Sequence, residues 1–190
     1  YRRTYQAESD RLAASEQLYS RAYPGLRVEE VSITDPARIE EDVVLRVRLA
    51  VARYAQPDGQ GLRFVPFGRG HSYAESFAAL SVRRHDLVLG EPWESVFTYR
   101  HELPEGWAPV ELPEAASRDT PFGSFEVRYR PEGGALLAEG RVLFRASRVA
   151  VADYPAFRDF VTGLDWALSR PVRVGPPPQA SEPAGAGGSR

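Results

Sequence analysis

Residues 122–146, FGSFEVRYRPEGGALLAEGRVLFRA, read as a strand, a tight turn and a return strand, and this hairpin decides the fold. Phe125, Val127 and Tyr129 alternate with Glu126, Arg128 and Arg130, which puts an apolar row on one face and charges on the other. Pro131-Glu132-Gly133-Gly134 supplies turn chemistry. On the return, Leu136, Ala138, Val142, Phe144 and Ala146 share one parity, while Glu139, Arg141 and Arg145 share the other with Leu137 and Leu143. One face is clean and one is mixed, and no residue of the hairpin is arranged for chemistry.

Downstream, Asp153 stands as the N-cap of a helix whose apolar face is Phe157, Phe160, Val161, Leu164 and Leu168, and Pro171 ends it. Val172 to Val174 fit an added edge strand. Upstream, Val43 to Tyr54 alternates as a half-buried antiparallel strand, with Leu62 to Phe67 as its hairpin partner across Pro57-Asp58-Gly59. Leu26 to Thr34, Arg83 to Leu89, Glu94 to Leu103 and Trp107 to Leu112 read as further strands, and Ser72 to Leu80 falls between helix and strand. The opening segment is helical, with Tyr1, Tyr5, Leu12, Tyr19 and Tyr23 on one stripe before the Pro24-Gly25 stop. About eight short strands separated by turns predict a mainly β fold, an antiparallel β-sandwich with a helix at each end. The expected organisation is a connecting helix over 1–23, a β-sandwich with its C-terminal helix over 24–175, and a flexible Pro/Gly/Ala/Ser tail over 176–190.

At 190 residues the chain can bury the core of one domain. A net charge of -2 provides no general field for nucleic acid or an anionic membrane. All 24 basic residues are Arg, alternating along strands as a solvated face requires. With no Cys, the chain holds no disulfide, thiolate nucleophile or cysteine zinc site. It contains no run as long as a membrane span and no signal-peptide pattern. The absence of Met and the start at Tyr1, inside a helical pattern, suggest part of a longer protein.

His71, His85 and His101 are the residues a metal enzyme would use, but no compact His-x-x-x-His spacing is present, and a core or rim role suits His101 better. Ser81, Ser95 and Ser124 lie in no nucleophile-elbow context. Glu29-Glu30 and Glu40-Glu41-Asp42 read as solvated acids rather than an acid/base pair. Gly68-Arg69-Gly70 lacks the Lys and the strand-to-helix setting of a phosphate loop. The candidate binding residues are Trp93, Tyr99 and Trp107, a possible aromatic platform for a glycan or peptide that equally suits a core.

Arg84 with a short strand and Pro92, Leu103-Pro104-Glu105-Gly106-Trp107, Leu112-Pro113, Phe122-Gly123-Ser124-Phe125 with Tyr129, and Tyr154-x-x-Phe157-Arg158-x-Phe160 follow one another in an order that carries a resemblance. The order, together with the helix from Tyr1 and the Tyr23-Pro24-Gly25 turn, resembles the C-terminal region of bacterial proteins that join a DUF3857 domain to a transglutaminase-like core. The resemblance implies a β-sandwich following a papain-like core that carries a Cys, His and Asp triad, in a protein of the bacterial periplasm or cell envelope. It transfers no catalytic residue and implies no cofactor. The chain is then expected to be a noncatalytic accessory domain, packing on that core and shaping or presenting a peptide or protein substrate. An independent glycan- or peptide-binding module is the alternative.

Overall fold

In a computed structural model of the chain, residues 8–20, 23, 25–35, 38, 40, 44–68 and 72–176 are described. The fold is mainly β, with several antiparallel sheets and few helices in a sandwich-like arrangement. Its centre is the predicted hairpin, β9 (Gly123–Glu132) and β10 (Ala135–Phe144). Gly133 and Gly134 close it with φ of 55° and 77°, the two positive values that a two-residue turn matching the strand twist requires. β6 (Trp93–Glu102) pairs along the other side of β10 in unbroken register, and β8 (Ala116–Thr120) completes a four-stranded sheet in the order β6-β10-β9-β8.

Alternation sorts this sheet into two faces. Outward, Arg and Glu pair across strands: Arg141 with Glu94 at 2.5 Å, Arg100 with Glu132 at 3.4 Å, and Arg130 with Glu139, Arg130 also pairing with Glu132 of its own strand. Inward, Phe125, Val127, Ala138, Val142 and Phe144 are buried beneath α3 (Tyr154–Leu168). Phe160 meets Phe125 at 6.0 Å and Phe144 at 5.7 Å between ring centres, and burying each such ring contributes about 2–3 kcal/mol. Gly140 lies under the Phe97 ring, and a Cβ there would stand 2.2 Å from it.

α3 also positions α2 (Tyr73–Ala78). The Asp165 carboxylate accepts from the Tyr73 and Ala74 amides at 2.7 and 2.8 Å, while Ser72 accepts from Glu75 N at 3.1 Å. Free N–H groups at the start of the short helix are thereby satisfied from another element. The short pair β5 (Leu87–Val88) and β11 (Arg148–Val149) lies nearby, with Leu87 and Val149 in the same core.

A second four-stranded sheet is built from β3 (Gln56–Asp58), β4 (Gly61–Phe64), β7 (Ala108–Glu111) and β12 (Val172–Gly175), in the order β3-β4-β12-β7. Phe64, Val172 and Val174 pack on Leu136, so this sheet covers the end of β10 that α3 leaves open. β1 (Leu26–Ile33) and β2 (Leu45–Val51) form a separate antiparallel pair, and α1 (Glu8–Tyr19) lies on β1.

Several expectations change. Leu62 to Phe67 does not pair with Val43 to Tyr54: β4 pairs with β3 and β12, and β2 pairs with β1. β12 is a central strand rather than an edge, because β7 lies along its far side. Of Arg83 to Leu89 only two residues are strand, and Ser72 to Leu80 resolves as helix. β8 has no apolar alternation and was not anticipated. Asp153 precedes α3 but makes no side-chain cap, since a 3-10 turn over 151–153 leads into the helix. Among the described residues of the tyrosine stripe, Tyr23 is buried at 4% and Tyr19 half-buried, whereas Leu12 is 45% exposed and Ser15 is the buried position of α1. Tyr1, Tyr5, Pro24, Val43 and the segment 177–190 lie outside the described residues.

Candidate functional site

Among the described residues, a cleft of about 700 Å³ opens between the β1-β2 pair and β6, lined by Tyr23, Glu29, Val47, Arg48, Leu49, Val51, Tyr54, Arg100, His101 and Glu102. Successive residues of both strands, 47–49 and 100–102, line it. A sheet face offers every second residue, so successive residues mean that strand edges border the space. Among the described residues both bordering strands end a sheet: β6 has β10 on one side only, and β2 has β1.

Aromatic rings form the floor. Tyr54 stacks on His101 with ring centres 5.8 Å apart and planes 8° from parallel, and Phe64 and Tyr23 flank Tyr54 at 5.3 and 5.7 Å. Two side chains are tied to carbonyls of the segment leaving β4: Tyr54 Oη donates to Val65 O, and His101 Nε2 lies 3.0 Å from Pro66 O. A carbonyl only accepts, so the His101 nitrogen carries the proton and donates. Gly68 closes the segment at φ 78°, and a Cβ there would strike the Tyr23 ring at 2.5 Å. Arg53, which precedes Tyr54, sits at φ 57°, a left-handed position that L side chains adopt at a cost of about 1 kcal/mol or more. A second hollow of about 460 Å³, lined in part by Arg53, Arg63 and Pro171, continues past Tyr23 and Tyr54.

The floor is uncharged at neutral pH. Burial lowers the His101 pKa to about 4, against the Pro66 hydrogen bond, which favours the protonated ring. Desolvation likewise raises the Tyr23, Tyr54 and Tyr99 hydroxyls above their ordinary value. Tyr23 Oη is buried without a hydrogen bond of good geometry, and among its polar neighbours the Tyr99 hydroxyl couples to it most strongly. This chemistry suits an apolar or aromatic group against the rings and hydrogen bonds from the strand edges. The charged lining is mixed, with Glu29 paired to Arg27 at 3.2 Å and Arg100 to Glu102 at 2.7 Å. Arg48 has no ion-pair or hydrogen-bond partner among the described residues.

The residues singled out from sequence are dispersed. Trp93, at the start of β6, is half-buried and stacks on Phe144 at 4.6 Å. Tyr99, six positions along the same inner face and so about 20 Å away, meets Phe67 edge-on at 5.6 Å and continues to His101 at 6.5 Å. Trp107 is half-buried against the Phe64 and Val174 cluster. Of the three, only Tyr99 joins the rings of the cleft floor. His85 is exposed, His71 is outside the described residues, and no His/Asp/Glu cluster suited to a metal occurs among those described.

Sequence reading did not single out Tyr23, Tyr54, Arg48 and His101 as a group, because three separate segments bring them together. Trp166 also escaped notice. It is 57% exposed on α3, with the Arg170 guanidinium 4.4 Å above its ring, and its place off the Phe157 to Leu168 stripe was the available signal.

Residues 64–172 match the model of a family described as a domain of unknown function with a solved structure, DUF3858. The chain belongs to the DUF3858 family. The match runs from the last residue of β4 to the first of β12, so the DUF3858 segment supplies the β6 wall, while β1 and β2 lie outside it. No curated protein matches this DUF3858 chain. A crystal structure from Parabacteroides distasonis ATCC 8503, described as a "putative protease", is similar with a TM-score of 0.48 and 16% identity. It covers 61% of this chain, and this chain spans 24% of its length.

Proposed function

We propose that this chain is a noncatalytic accessory domain of a transglutaminase-like protein of the bacterial envelope, which packs on the papain-like core and presents polypeptide substrate to it. One observation carries the reading: the cleft between β2 and β6 is bordered by two open strand edges over an uncharged aromatic floor, and the chain has no Cys. Such a cleft can hold a polypeptide, and without Cys it supplies no thiolate to attack it. Tyr54 and His101, which could titrate or transfer a proton, bond to the domain's own carbonyls. The motif order from Arg84 to Phe160 supports the choice of parent, and membership in a family of unknown function leaves that choice open to test.

The test is purification of the protein from its native source, with intact mass, N-terminal sequencing and identification of copurifying chains. A longer chain, or a tightly bound second one, bearing a Cys-His-Asp core is the expected result. A lone chain starting at Tyr1 overturns the proposal.

A further inference from the structure

We infer that the cleft is a slot for an extended peptide, which adds as a strand to the free edge of β6, places an apolar side chain on the Tyr54 and His101 rings, and sets an acidic side chain against Arg48. This names what the accessory domain presents and rests on that reading, although the slot itself rests on geometry.

The two edges of the large sheet differ. β8 is five residues long and is held to α3, where the Arg118 guanidinium donates to Asp159 O at 2.9 Å. β6 is ten residues long, has no proline, and keeps unbroken register with β10. Every second residue of such a strand points its N–H and C=O away from the sheet, and proteins ordinarily blunt an edge of this kind with charge, bulges or brevity. Here an open cleft lies beside its last three residues, Arg100 to Glu102, with β2 as the opposite wall. The space accepts an extended backbone, whose alternating side chains would point in turn to the ring floor and to solvent. Charge then selects among peptides. Glu29 and Glu102 are each paired with an arginine, so the unpartnered Arg48 guanidinium is the group left to bind a carboxylate.

A displayed library of random ten-residue peptides, selected on the full chain, tests this. Enriched sequences are expected to alternate apolar and polar residues and to carry an acid. On adding one of them, amide resonances of 47–51 and 100–102 should shift. Remaking that peptide with alternate backbone nitrogens methylated removes ladder donors and should weaken binding at least tenfold, and Arg48→Glu should do the same for acidic peptides while favouring basic ones. No enrichment, binding indifferent to methylation, or shifts confined to the Trp166 side of α3 would overturn the inference. So would sedimentation showing a dimer that protects the β6 amides, which would assign the edge to a second copy. Because these readouts come from this chain alone, they fail independently of the search for a Cys-bearing core.

Discussion

His101 ties stability to pH through one buried ring. Its folded pKa of about 4 lies below the ordinary 6.5, so between those values the unfolded chain binds the proton more readily. The stability gained from keeping the ring neutral is fully present above pH 6.5 and is lost as pH falls through about 4, amounting to up to about 3 kcal/mol. Urea midpoints from pH 7.5 to 4 should fall over this window. In His101→Gln, which keeps a donor for Pro66 O but does not titrate, that part of the fall should be absent. Gly140 gives the second residue-scale prediction. Gly140→Ala drives a Cβ into the Phe97 ring and should cost about 1–3 kcal/mol, and pairing it with Phe97→Leu should recover much of the loss in a double-mutant cycle.

Among the elements, α2 depends most on a partner far away in sequence. Two of its first amides bond to Asp165 of α3, so Asp165→Ala should cost about 1–3 kcal/mol by thermal melting, with the loss of helicity confined to residues 73–78 in hydrogen exchange. Asp165→Asn should recover part of it. The same pair shows what the sequence could reveal. β6, β9, β10 and α3 were legible because each alternates or repeats within itself, and Phe157 or Val127 announces its burial by spacing alone. β8, with Ala116-Ser117-Arg118-Asp119-Thr120, carries no such pattern and is strand because β9 pairs with it. The cleft was illegible for a related reason. Tyr23, Arg48, Tyr54 and His101 obey no common period, and only the meeting of β2 with β6 gathers them.

For the molecule as a whole, the ion pairs across the outer face of the large sheet are numerous and exposed, with side chains from about a third to three quarters accessible. Exposed pairs are each worth about 0–1 kcal/mol and are screened by salt. Stabilities from urea unfolding in 0.05 M and 1 M NaCl should therefore differ by no more than about a few kcal/mol, and a larger fall would mean that the pairs act as a network. The hydrophobic layers beneath carry the fold, and they differ in one respect. The large sheet and its hairpin close from neighbouring segments, whereas the smaller sheet has Val172–Gly175 between β4 and β7. During synthesis, β3, β4 and β7 leave the ribosome with an empty place at their centre, and Phe64 has no Val172 to rest on until about a hundred more residues have followed, some 5–20 s at ordinary translation rates. For that interval the chain exposes two adhesive strand borders side by side, and a chaperone acting on this protein would have most to do there.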